Sequence, residues 1–120
     1  MKRILVIDDE KTFDFPSDWD VTYARTLDEG ATHVIFGRWD EIWLDHDLGA
    51  DDTIRPLVLE LAQRAYYGFV YPVDELVICS LNVVGQRWIE STLNPYYRVS
   101  LCTSPKQLEE RTGSRVATWY

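Results

Sequence analysis

Apolar residues along this chain gather in short runs, and each run stops at a polar or turn-forming residue. Ile4-Leu5-Val6-Ile7, Val21-Thr22-Tyr23-Ala24, Glu41 to Asp45, Leu76-Val77-Ile78-Cys79 and Tyr97 to Cys102 are too short for helices. Apolar runs of this kind read as strands covered on both faces, as in a parallel sheet. Stretches with helical spacing lie between them. Thr26-Leu27-Asp28-Glu29 is a capping box that opens a helix to about Phe36, with Gly37 as its stop. Asp51-Asp52-Thr53 offers an N-cap to the longest helix, where Ile54, Leu57, Val58, Leu61, Ala62 and Ala65 share one face and Pro56 sits in the first turn. That helix ends near Gly68, and Phe69 to Asp74 is an aromatic-rich loop. After Ser80-Leu81-Asn82 a third helix is marked by Val84, Trp88, Ile89, Thr92 and Leu93 and stopped by Asn94-Pro95. Ser104-Pro105 caps a short fourth helix, and a tail from Arg115 ends in Trp119-Tyr120. Only the first crossover lacks a helical period. Glu10 to Asp20, with Phe13, Phe15, Pro16 and Trp19, reads as mostly loop. Strands alternating with helices predict an α/β fold with a five-stranded parallel sheet and right-handed crossovers.

Two of the strands end in acid. Asp8-Asp9 closes the first, and Asp45-His46-Asp47 closes the third. Ligands of open α/β sheets bind outside the carboxyl ends of the strands, and carboxylates crowded there repel one another unless a cation or protons intervene. A hard divalent ion, Mg²⁺ or Mn²⁺, suits such oxygen donors, with Asp8, Asp9 and Asp45 as its ligands. The plainer reading of Asp8 and Asp9 is as turn residues. Alternation along a strand sends them to opposite faces, so both reach one ion only if the chain is already turning. Asp45 and Asp47 share a side and His46 points the other way, which makes Asp45 the centre of the site. Asp45, His46 and Asp47 are the catalytic candidates. His46 is either a general acid or base toward a phosphate oxygen or a packing histidine held by a backbone carbonyl. His33, mid-helix, reads as structural.

Ser80 and Asn82 fit an ordinary helix N-cap, and equally a phosphate site, because a helix N-terminus aims backbone N–H groups at an anion. Gly49 and Gly85 permit close backbone approach, and Gly85 joins the phosphate-binding candidates. Arg87 and Arg55 are either phosphate or base contacts or exposed ion-pair partners.

A chain of 120 residues makes one domain, spanning 1-120. Its net charge of −8 argues against duplex DNA as a partner and leaves room for a small phosphorylated ligand or an RNA end held through a metal. Cys79 and Cys102 lie in strand-like runs and read as reduced core residues of a cytoplasmic protein. No apolar stretch approaches the roughly 20 residues of a membrane span. Aromatic residues make up 13% of the chain. Most read as core; one beside the site could stack on a base, and Tyr66-Tyr67 or Trp119-Tyr120 could instead form a homodimer surface.

Asp8-Asp9 after strand one, Asp45 after strand three and Ser80 after strand four resemble the acidic pocket of response-regulator receiver domains, in which the first pair holds Mg²⁺, the third carboxylate accepts a phosphoryl group and the hydroxyl contacts it. Receivers also place a lysine before a proline after strand five; here Ser104 precedes Pro105 and Lys106 follows it. A closer likeness is to a divergent branch, the cyclic-phosphate processing receiver-like family. Its Asp-Asp, Leu-Asp-His-Asp-Leu-Gly and Ser-x-Asn-x-x-Gly segments read here as Asp8-Asp9, Leu44 to Gly49 and Ser80 to Gly85. Cys79 and Val83 stand where members often carry His and Pro. The resemblance covers essentially the whole chain. It implies a receiver-like, flavodoxin-like three-layer fold with a shortened first crossover. It also implies metal-dependent hydrolysis of a cyclic phosphate on a nucleotide or RNA end; members occur in phages as well as bacteria, which leaves both RNA repair and the countering of host nucleotide signals open as roles. The alternative is a receiver-derived module that binds such a ligand, or a protein partner, without cleaving it.

Overall fold

The computed structural model describes residues 1–113. The tail from Arg115, with Trp119-Tyr120, lies outside them. Strands β1 (Arg3–Ile7), β2 (Asp20–Ala24), β3 (Trp39–Leu44), β4 (Val73–Ile78) and β5 (Val99–Leu101) form one parallel sheet in the order β2-β1-β3-β4-β5. Helices α1 (Leu27–Phe36), α2 (Arg55–Tyr66), α3 (Val83–Leu93) and α4 (Pro105–Thr112) complete the α/β fold that the sequence predicts.

Strand alternation divides the core in two. Leu5, Ile7, Ile42, Leu44, Leu76 and Ile78 face α1, α2 and α3, where Val34, Leu57, Val58, Leu61, Ile89 and Leu93 meet them. Ile4, Val6, Trp43, Val77 and Cys79 face the other way, toward Leu108 of α4. Among the described residues no helix joins β1 to β2, so Phe13 and Phe15 take its place over Trp43, with ring centroids 5.3 and 5.0 Å away. Lys2 stacks over Trp19 in the same layer.

Local chemistry sets the helix starts. At α1 the Thr26 hydroxyl accepts from Glu29 N (3.1 Å), and the Glu29 carboxylate accepts from Arg25 N (3.1 Å). Of the Asp51-Asp52-Thr53 segment expected to cap α2, Thr53 Oγ1 accepts from Arg55 N (3.3 Å), while the half-in residue is Ile54, which makes no side-chain cap. Ile54 is fully buried and its N–H reaches His46 O at 2.9 Å, so core packing fixes where the helix begins. The last strand is shorter than expected. Tyr97 belongs to the turn after α3, where its hydroxyl accepts from Tyr71 N at 2.8 Å, and β5 starts at Val99.

No described helix is long and apolar enough to cross a membrane. Cys79 and Cys102 are free and buried; burial pushes both thiols up, Cys102 to about 11, so they stay protonated. Tyr66 and Tyr67 lie exposed at the end of α2.

Candidate functional site

The sheet's hydrogen bonding continues one rung past the strand ends. Asp8 N donates to Ala24 O and Asp45 N to Ile7 O, both at 3.0 Å. Asp8 and Asp45 are therefore held side by side on the face that carries Ile4, Val6 and Trp43, and both are buried. The chain turns at once after Asp8, whose Oδ1 accepts from Glu10 N (3.0 Å) and Lys11 N (2.8 Å). That turn meets the condition for Asp9 to join. Asp8, Asp9 and Asp45 each offer a carboxylate oxygen, all within 4.8 Å of one another. Gly49, at φ +88°, lets the loop after β3 lie against them, since a Cβ there would stand 3.1 Å from Asp9 Oδ2.

Burial makes this cluster costly. Asp8 Oδ2 is buried with no hydrogen-bond partner, and the Lys11 ammonium faces it as an ion pair at 3.2 Å. The same ammonium lies 3.5 Å from Asp45 Oδ2. Burial disfavours the charge on Lys11, yet Asp45 and Asp8 outweigh it and raise its pKa. Burial and then the Asp8 charge push Asp45 up to about 6, with Lys11 and the Ser80 hydroxyl holding it partly down. In metal-free protein, the carbon-13 carboxyl resonance of Asp45 is expected to titrate near pH 6 and to move to lower pH when Mg²⁺ is added. A midpoint in the ordinary aspartate range, unmoved by Mg²⁺, would contradict this. A buried oxygen answered by a single ammonium, within an all-oxygen donor set, fits a hard divalent cation.

A second group of side chains stands beside the carboxylates. His46 Nδ1–H donates to Asp47 Oδ1 (2.9 Å), and its Nε2 accepts from Arg55 Nε (2.9 Å), whose guanidinium stacks on Trp88 at 4.4 Å. Asp47 Oδ2 accepts from Asn82 Nδ2 (3.2 Å), and Asn82 Oδ1 caps α3 through Gly85 N (3.0 Å). The hydrogen bond from His46 holds Asp47 below the usual carboxylate range. Both imidazole nitrogens are thus engaged, on the opposite side of the sheet from Asp45. Gly85 is the shelf for this ring, because a Cβ there would lie 2.5 Å from His46 Cγ. Gly85→Ala is expected to cost about 1–3 kcal/mol by overpacking, measured by urea unfolding. A change below about 0.5 kcal/mol would show that the ring has room to move.

Asp8, Asp9, Lys11, Asp45, Asp47, Ser80 and Asn82 come together around a cavity of about 360 Å³, with Glu10, Gly49, Ala50 and Leu81 completing its wall. Ser80 is buried, and its Oγ accepts from Asn82 N at 3.1 Å. His46, Gly85 and Arg87 lie outside that wall. Arg87 is exposed on α3, and Arg55 serves the His46 ring. Sequence reasoning missed Lys11 and Arg25. The Arg25 guanidinium ties down the first loop through Asp8 O (3.2 Å), Lys11 O (2.7 Å) and Thr12 Oγ1 (3.1 Å). The only available signal was a basic residue three positions after Asp8, within reach of an Asp-centred turn.

The family model for the cyclic-phosphate processing Receiver domain matches residues 3–95. Among solved structures, the response regulator TrrA from Thermotoga maritima, in complex with Mg²⁺-BeF, is similar at a TM-score of 0.64 and 15% identity, covering 97% of this chain and 100% of that one. The response regulator 1452 receiver domain of Francisella matches at 0.55 and 17% identity, covering 94% of each chain. A CheY-like receiver domain protein from Methanospirillum hungatei matches at 0.56 and 16%, covering 92% of this chain and 90% of its own. At these identities the likeness is one of fold. Comparison with curated proteins returns no match.

Proposed function

The chain belongs to the cyclic-phosphate processing receiver domain family, and from that premise we propose that its acidic pocket hydrolyses a cyclic phosphate on a nucleotide or RNA end with the help of a divalent metal ion. The observation that carries this reading is the set of three carboxylate oxygens within 4.8 Å, on two buried aspartates and Asp9, next to the capped start of α3. Asp8, Asp9 and Asp45 would hold Mg²⁺ or Mn²⁺, which when bound supplies Lewis-acid stabilisation of a phosphoryl oxygen.

The rest is the work of the chain itself. Ser80, Asn82 and the positive end of α3 receive the non-bridging phosphate oxygens. Asp47, clamped between His46 and Asn82, faces the cavity and orients the attacking water. His46 acts through Asp47 as a positioning residue. In the reaction a water oxygen bonds to phosphorus, one ester bond to a sugar oxygen breaks, and a phosphomonoester remains. Attack by Asp45 itself is a variant of the same scheme. Among the described residues five carboxylates and one ammonium line the cavity, a balance that opposes a duplex polyanion and admits a small phosphorylated ligand through the metal ion.

A second reading, capture without cleavage, draws on one observation: Cys79 is fully buried where relatives often carry histidine, and the pocket wall contains no imidazole. Phosphorus NMR of nucleoside 2′,3′-cyclic phosphates and cyclic dinucleotides, mixed with the protein and Mg²⁺ or Mn²⁺, separates the two. A new phosphomonoester or linear diester resonance is expected. Broadened or shifted resonances without product would replace hydrolysis by capture.

A further inference from the structure

Among the described residues Lys11 is the one basic side chain in the cavity wall, and its place is fixed at three points. Its backbone N–H is bound by Asp8 Oδ1 at 2.8 Å, its carbonyl by Arg25 Nη1 at 2.7 Å, and its ammonium by Asp8 and Asp45 at 3.2 and 3.5 Å. The residue is 5% exposed. Asp8 and Asp45 are also two of the three carboxylates that come within 4.8 Å of one another.

We propose that Lys11 is a tethered cation that shares the acidic pocket with the divalent ion, weakens that ion's binding and sets the pocket's charge. This rests on the metal-dependent reading above. Asp8, Asp9 and Asp45 carry three negative charges, and the ammonium leaves two, which one divalent ion neutralises. An anionic phosphate then meets a three-carboxylate cluster near neutrality, with Glu10 and Asp47 the remaining acids of the wall, and the ion stays weakly enough held to exchange. Without Lys11 the same ion would gain two freed carboxylate oxygens and lose a repelling charge about one contact distance away. A phosphate would meet a more negative wall. The two affinities therefore move in opposite directions, whereas a merely structural lysine would weaken both together.

The test is Mn²⁺ binding to chelator-treated full-length protein, followed by water-proton relaxation, for wild type, Lys11→Met and Lys11→Arg. Lys11→Met is expected to bind Mn²⁺ at least about tenfold more tightly, and Lys11→Arg, which keeps the charge, to stay within about threefold of wild type. Inorganic phosphate binding to the Mn²⁺-loaded protein is expected to weaken in Lys11→Met. Unchanged or weaker Mn²⁺ binding in folded Lys11→Met overturns the proposal, as does an equal gain in Lys11→Arg. Where Lys11→Met is unfolded without metal, Mn²⁺ is expected to restore its circular dichroism, and failure to do so overturns the proposal too. Mn²⁺ binding by Lys11→Met but not by wild type would uphold the tethered cation and defeat the metal-dependent function. Metal-dependent turnover by wild type, with no gain in Lys11→Met, would do the reverse.

Discussion

Asparagine at position 45 is expected to lower turnover of a cyclic phosphate by at least about 100-fold while raising the melting temperature of the metal-free protein. The first effect follows from removing a carboxylate of the proposed metal set, which sits beside Asp8 and Ser80 at the end of β3. The second follows from linkage. Asp45 in the fold titrates at about 6, above its ordinary 3.8, so between those values the native state holds a proton that the unfolded chain has released. Stability is therefore lost as pH rises from about 4 to about 6 and stays lower above that, the reverse of a salt-bridged carboxylate. The amide keeps the shape and removes the charge that faces Asp8. At pH 7.5 in chelator the variant should melt above wild type, and near pH 4 the two should converge. Phosphorus NMR rates and thermal melts at both pH values check this. Full turnover in a correctly folded Asp45→Asn protein would sink the assignment of the site. Melting curves that coincide at pH 7.5 would sink the electrostatic account.

The second large effect concerns the layer that stands in for the missing first helix. Trp43→Ala is expected to destabilise the fold by about 3–5 kcal/mol in urea unfolding, a large share of the stability of a domain this size. Trp43 is fully buried and supports Phe13 and Phe15, and its Nε1 donates to Glu41 Oε1 at 2.9 Å. Glu41 is itself buried and gathers Lys2 at 2.6 Å and Arg111 at 3.7 Å. Removing the indole opens a cavity, loosens the aromatic loop and takes one donor from a buried carboxylate. Trp43→Phe, which keeps most of the volume and loses only that donor, should cost about 1–2 kcal/mol. A loss below about 1 kcal/mol in Trp43→Ala would mean that the loop does not serve as the sheet's cover.

Much of this architecture was legible in the sequence because its signals are local. The runs around Leu5, Ile42 and Val77 and the capping box at Thr26 each speak for their own few residues, and alternation was enough to separate Asp45 from His46. Ile54 shows where local rules reach their limit: Thr53 does bond the first helical N–H, but the half-in position falls to a core residue held by His46 O. Lys11 was hidden for a similar reason, since a lysine in a polar loop reads as solvent-facing until the fold brings Asp45 to it from 34 positions away. Gly85 was read as a site of close approach, and the structure shows that the approaching group is an imidazole of its own chain.

The chain of bonds from Asn82 through Asp47 and His46 to Arg55 ends on an indole. Cations also rest on Trp19, Trp39 and Trp43, so with those three and Trp119 replaced by Phe the emission of Trp88 is expected to report on the pocket through this line. A phosphate that draws the Asn82 amide away from Asp47 is expected to slacken the line at its far end, a change read at an indole on the opposite face of the sheet from Asp45.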